Sequence, residues 1–205
     1  MLIVIIGPDG CGKTTIADGL CEILSKRNIS THHLAMNFEI LPKLRDIVNP
    51  FIKNKIVDTH IEGELNVGMK DKPNSQIKGV VLATWYAMDY FLGRFKLYKW
   101  NRNNDAVIFA RYFYDYYFQR GHINTPHWYL DILQMLVPKP DFIFTITRDA
   151  QSIFDLKPEL SVTEIQRQQY EIGKLLKSKK YAYTIDGKMG VDDTMQKIIK
   201  ILDNK

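Results

Sequence analysis

Gly7-Pro8-Asp9-Gly10-Cys11-Gly12-Lys13-Thr14-Thr15 follows the apolar run Leu2 to Ile6 and leads into Ile16-Ala17-Asp18-Gly19-Leu20. The stretch satisfies the pattern G-x-x-x-x-G-K-[ST] at every fixed position, with a strand reading before it and a helix reading after it. Gly7, Gly10 and Gly12 open backbone conformations closed to residues with a side chain, so that successive N–H groups can converge on a polyphosphate. A helix starting near Lys13 adds its unpaired N–H groups and the positive end of its dipole. In such a loop Lys13 reaches the β- and γ-phosphates and the Thr14 hydroxyl ligates Mg²⁺. The expected ligand is therefore a nucleoside triphosphate with Mg²⁺, with Gly7, Asp9 and Gly10 to Thr15, Cys11 included, as its candidate binding residues.

Composition narrows what surrounds this loop. The 205 residues are 45% hydrophobic and 25% charged, which suits one α/β domain spanning the whole chain around a well-buried core. No stretch approaches the ~20 apolar residues of a membrane span, and Leu2 to Ile6 is too short for a signal-peptide core. A cytoplasmic protein without a membrane partner is the expectation. Cys11 and Cys21 have no spacing that fits a disulfide framework or a zinc site, so they read as reduced thiols. The formal net charge of +5 favours anionic ligands, but Lys and Arg are dispersed rather than massed in one arm. Small phosphorylated molecules account for it as well as nucleic acid does.

Along the chain, Leu2 to Ile6 has the continuous β-branched character of a central parallel strand. A helix follows to about Lys26, then a short edge strand from Thr31 to Met36. His32 and His33 lie side by side on that strand, point to opposite faces, and so cannot chelate one metal together. Glu39 to Val48 can be read as a helix, and 49–77 as a flexible arm near the substrate. Val81, Leu82, Trp85, Met88, Leu92 and Phe95 recur at helical spacing between Lys78 and Trp100, a pattern that packing alone requires. That helix can pack internally or form the face of a homodimer; Asp89 and Arg94 are its polar exceptions.

Ala106 to Phe109 forms a third strand and delivers Arg111 near its carboxyl end, where ligands of open α/β sheets bind. The aromatic stretch Tyr112 to Tyr129 is expected to line a pocket. A helix from Trp128 to Leu136 stops at Pro138-Lys139-Pro140, and a fourth strand, Asp141 to Ile146, ends at Thr147, Arg148 and Asp149. Lys157-Pro158-Glu159-Leu160 interrupts the pattern, giving a mobile segment between two helices. Ser161-Val162-Thr163-Glu164 is a capping box opening a helix to about Lys177, with Arg167 either turned toward a phosphate or solvated. Tyr181 to Ile185 is a fifth strand and Val191 to Leu202 a final helix. Five strands alternating with helices predict a three-layer α/β fold on a parallel sheet.

No Asn-Lys-x-Asp motif follows a strand, which argues against a GTP-binding switch, and the size is small for a motor ATPase. At this point the residues resemble a known family. Gly7-Pro8-Asp9-Gly10-Cys11-Gly12-Lys13-Thr14-Thr15 is similar to the phosphate loop of thymidylate kinases, with its aspartate two positions after the first glycine. Val107 to Tyr112 resembles that family's strand ending in Asp-Arg-Tyr, and Pro138 to Phe144 its proline-containing entry to the fourth strand. Lys157-Pro158-Glu159-Leu160 resembles the lid of a thymidylate-kinase-like branch associated with surface-polysaccharide genes.

The resemblance implies the nucleoside monophosphate kinase fold and phosphoryl transfer from ATP to a small acceptor such as dTMP. It assigns Asp9 to an acceptor hydroxyl, Arg111 to bridging the donor and acceptor phosphates, and lid cations such as Lys157 or Arg148 to stabilising the transferring group, the lid spanning about 150–161. Three positions depart from the pattern. The aspartate before the arginine is Ala110, which Asp115 could replace from one turn on; the arginine of the long helix is replaced near Met88 and Asp89; the lid arginine is Leu156. An acceptor of a different kind, glycan-linked or otherwise non-nucleotide, and a non-catalytic ATP-binding protein are the alternatives these departures leave open.

Overall fold

The computed structural model describes residues 1–44, 75–120, 123–177 and 179–204. Strand β1 (Leu2–Ile6) leads through the glycine loop into helix α1 (Lys13–Lys26), and β2 (Thr31–Leu34) follows. Helix α2 (Gln76–Arg102) precedes β3 (Ala106–Phe109), a 3₁₀ turn over Phe113–Tyr117, and α3 (His127–Gln134). Then come β4 (Phe142–Thr147), α4 (Ala150–Leu156), α5 (Val162–Leu176), β5 (Ala182–Asp186) and α6 (Val191–Asp203).

All five strands pair in parallel, in the order β2-β3-β1-β4-β5. β1 sits at the centre because each of its five residues is apolar and buried. Its side chains alternate between the two sheet faces, as the period of two demands. Leu2, Val4 and Ile6 face α2 and α3 together with Tyr90, Phe109 and Leu130. Ile3 and Ile5 face α1 and α6 with Leu20, Leu24, Ile198 and Ile199. The result is the three-layer arrangement expected, and no described helix is long and apolar enough to cross a membrane.

Several local expectations change. Helix α2 starts at Gln76 and ends at Arg102, longer at both ends than its apolar spacing marks. Residues 38–43 are irregular rather than helical, and most of the 49–77 arm, over 49–74, lies outside the described residues. β2 stops at Leu34, and it is the edge strand foreseen: His32 turns to Asp105 at 2.8 Å while His33 turns to Asp18 at 2.9 Å. Aromatics of the Tyr112 to Tyr129 stretch do not line a pocket at its start. Tyr112 through Phe118 are buried, with Tyr112 edge-packed against Tyr90 and Phe109 and Phe113 against Tyr90, because a run of large rings near the sheet serves the core first. Arg167 is neither solvated nor turned to a phosphate: it pairs with Glu164 and donates to the Phe118 carbonyl.

The segment 150–161, expected to be a lid, is flanked by two helix caps. Asp149 caps α4 by accepting from Ser152 N, Ser161 caps α5 by accepting from Glu164 N at 3.2 Å, and Leu160 between them is buried.

Candidate functional site

The carboxyl ends of β1 and β3, neighbours in the sheet, place the glycine loop beside Arg111. Gly10 and Gly12 adopt φ of 91° and 98°, in the left-handed region that disfavours other residues. A Cβ on Gly10 would stand 3.1 Å from the Lys157 Cβ and 3.3 Å from the Ile153 Cγ2, so the loop touches α4 closely. Gly12 leads directly into α1, whose first residue is Lys13. Thr14 and Thr15 are exposed at this helix start.

Three charged side chains converge here. Lys13 Nζ donates to the Gly7 and Pro8 carbonyls at 2.7 and 2.8 Å and approaches Asp9 Oδ1 at 3.3 Å. Arg111 Nη2 donates to the same Asp9 oxygen at 2.5 Å. The Asp9 and Lys13 side chains are 4% and 5% exposed, so solvent screens their attraction little. Asp9 thus joins the loop lysine to the strand-end arginine.

A second tier lies behind them. Arg111 Nη1 donates to Gln119 Oε1 at 3.1 Å, and Gln119 Nε2 donates to Asp115 Oδ2 at 3.3 Å. Asp115 is fully buried, and burial pushes its carboxyl up to about 7, with Lys13 and Arg111 pulling the other way. Asp115 therefore enters the network one residue removed from the guanidinium rather than in the place of the carboxylate missing at Ala110. Burial likewise raises the Cys11 thiol, and both cysteines are free, as their spacing predicts.

One cavity opens at the glycine loop and another beside α2. The first, of about 220 Å³, is lined by the loop at Gly10, Cys11 and Gly12, by Arg148, and by Gly187, Gly190 and Val191 near the start of α6. Arg148 Nη2 donates to the Gly187 carbonyl at 3.2 Å, and the exposed Leu156 forms part of the same wall. Lys157 stands beside Gly10 and pairs with Glu159 at 3.2 Å. The other cavity, of about 460 Å³, is bounded by Met36 to Lys43 and by Trp85 and Tyr86 on α2.

Asp89 explains the shape of that second wall. Its carboxylate accepts from Phe38 N and Ile40 N at 2.7 Å and Leu41 N at 2.8 Å, all from the irregular segment after β2. Tyr90 also donates to the Met36 carbonyl. Asp89 is fully buried and wholly structural in its contacts. Arg94, the other polar exception on α2, donates to the Met135 carbonyl on the outer side.

The structure thus brings Asp9, Lys13 and Arg111 together, keeps Lys157 and Arg148 at the loop's edge, and leaves Arg94 and Arg167 elsewhere. Gln119, Trp85 and Tyr86 join the surroundings of the site without any sequence motif to announce them. Gln119 was detectable only through its spacing to Asp115, one helical turn apart.

A cation fits the donor set. Mg²⁺ needs only one or two protein oxygens when nucleotide phosphates and waters complete its octahedron, and the exposed Thr14 hydroxyl is available to it.

No protein-family model and no curated protein sequence matches the chain. Among solved structures, the thymidylate kinase of Ehrlichia chaffeensis superposes with a TM-score of 0.59 at 20% identity, over 98% of both chains. The thymidylate kinase of Candida albicans does so with a TM-score of 0.65 at 16% identity, over 99% of this chain and 91% of that one. At these identities the likeness is one of fold: a thymidylate kinase-like α/β fold spans nearly the whole chain.

Proposed function

We propose that this chain, built on a thymidylate kinase-like fold, transfers the γ-phosphoryl group of ATP to a nucleoside monophosphate or a related small acceptor. The observation that carries the reading is the single carboxylate, Asp9, joining Lys13 of the glycine loop to Arg111 at the end of β3. Two cations converging on one carboxylate beyond the carboxyl ends of β1 and β3 suit a reaction whose catalysis is positioning and charge neutralisation.

In this reading the 220 Å³ cavity takes the nucleoside end of ATP beside Arg148, and the loop from Gly7 to Thr15 takes its phosphates. The 460 Å³ cavity with Trp85 and Tyr86 takes the acceptor. An acceptor oxygen attacks the γ-phosphorus, the bond to the β-phosphate oxygen breaks, and ADP leaves. Lys13 and Arg111 neutralise the charge that spreads over the transferring group, Lys157 adds to this from the lid, and Asp9 orients the acceptor and both cations. Thr14 would hold Mg²⁺, which would supply further neutralisation of the phosphate charge.

The test is ADP release from ATP and Mg²⁺ across dTMP, other nucleoside monophosphates and phosphorylated sugars, with Lys13→Ala as the control. Transfer to any of these that disappears in the variant supports the reading; ATP binding without transfer to any acceptor replaces it with a nucleotide-binding protein. A non-nucleotide acceptor is the second reading. It is favoured by Asp89, which stands near the α2 position where the resemblance places an acceptor-binding arginine and instead accepts from three backbone amides.

A further inference from the structure

Arg111 needs a fixed orientation if it is to meet two phosphoryl groups, and one carboxylate contact does not give it one. Asp9 engages Nη2, leaving the guanidinium free to pivot about that contact. The second contact comes from Gln119 at Nη1. An arginine only donates, so the Gln119 carbonyl must face it; the Gln119 amide then points at Asp115, which accepts. A glutamine amide with nothing behind it flips readily, and Asp115 is what prevents the flip. Both residues are held rigidly: Asp115 is fully buried, Gln119 is 3% exposed, and Gln119 N bonds the Asp115 carbonyl at 2.8 Å.

We propose that Gln119 and Asp115 are the positioning pair for Arg111, with Asp115 orienting the Gln119 amide and the amide orienting the guanidinium. The pair supplies from behind the arginine what the residue before it, Ala110, cannot supply. The inference rests on the phosphoryl-transfer reading for its kinetic consequence and on geometry alone for the orientation itself.

Keeping a carboxylate in so enclosed a place is costly, and the site shows the cost. Asp115 Oδ1 accepts only a long bond of 3.5 Å from Tyr112 N, and burial raises the carboxyl despite the nearby Lys13 and Arg111. Asp9 and the Cys11 thiol also face this cluster. A residue there for packing alone would be apolar, as most of its neighbours are.

Three variants test the pair: Gln119→Leu, Asp115→Leu, and the double variant Gln119→Glu with Asp115→Asn. The double variant reverses the polarity between the two side chains but still presents an acceptor to Arg111 and a donor beneath it, at nearly unchanged volume. Gln119→Leu and Asp115→Leu are each expected to lower kcat about thirtyfold with the ATP KM within about twofold, and the double variant to recover at least about a third of the wild-type kcat. The Arg111 Nε–H resonance should be sharp in the wild type and the double variant and broadened in the leucine variants. Leucine variants with wild-type kcat and a sharp resonance overturn the proposal, as does a double variant as slow and as broadened as they are. If a leucine variant does not fold, the double variant and the wild type decide by the resonance and kcat alone. If the wild type transfers no phosphoryl group, the functional reading falls while the resonance still decides the positioning.

Discussion

Arg111 and Asp9 are 102 residues apart in the chain and meet at 2.5 Å, on the same Asp9 oxygen that Lys13 approaches. The contact couples the end of β3 to the loop after β1. Two adjacent parallel strands thereby share one electrostatic unit rather than offering two separate cations.

Arg111→Lys keeps the charge but cannot hold Asp9 and Gln119 with two separate nitrogens of one planar group. We expect kcat for phosphoryl transfer to fall on the order of a hundredfold, with the ATP KM little changed. Steady-state kinetics on the acceptor identified in the panel give the answer. An unchanged kcat would show that charge alone suffices.

Lys13→Ala removes a buried ammonium that donates to the Gly7 and Pro8 carbonyls as well as to Asp9. Transfer should be lost by about a thousandfold or more, since the variant lacks the charge nearest the transferring group. Stability should drop by about 1–3 kcal/mol, because two carbonyls lose a donor while Asp9 keeps Arg111. Far-UV circular dichroism and urea denaturation separate the two effects. Loss of the native spectrum would assign Lys13 to the fold before catalysis.

Asp115 makes stability depend on pH in a defined direction. Its carboxyl titrates at about 7 in the fold because of burial, well above the ordinary aspartate value of 3.8. A raised acid binds its proton more tightly in the folded chain, so its stabilising contribution is complete below about pH 4 and is lost as pH rises through about 7. Urea midpoints measured from pH 5 to pH 8 should fall more in the wild type than in Asp115→Asn, which has no proton to lose there. Parallel profiles for the two proteins would refute the assignment.

Much of this was legible in residues that carry their own geometry. Leu2 to Ile6 could only be a doubly covered strand, and Gly10, Gly12 and Lys13 carry the loop conformation and its charge in nine consecutive positions. Arg111 was found from its place just beyond a strand. What escaped notice depends on partners distant in the chain. Asp89 reads as an oddity on an apolar helix until the amides of Phe38, Ile40 and Leu41, some fifty residues away, fold onto it. The rings from Tyr112 to Phe118 read as pocket lining and are core, because aromatic content does not encode which side of a sheet is covered. Residues 39–43 are not helical because Pro42 interrupts a helix and the amides of Ile40 and Leu41, with that of Phe38 before them, bond outward to one carboxylate.

That carboxylate yields the last prediction. Asp89 holds Phe38 to Leu41, and this segment together with Trp85 and Tyr86 forms the wall of the 460 Å³ cavity. Asp89→Ala strands three amide donors in a place where the side chain had no exposure, at a cost of about 3 kcal/mol or more. Asp89→Asn retains one acceptor oxygen and turns a donor toward the remaining amides, so its cost should be intermediate. Because the segment borders the proposed acceptor cavity and not the cavity at Gly10 and Arg148, the acceptor KM should rise several-fold in Asp89→Asn while the ATP KM stays within about twofold. Equal rises in both constants would mean that the loop acts on the whole site, and that the 460 Å³ cavity is not where the acceptor binds.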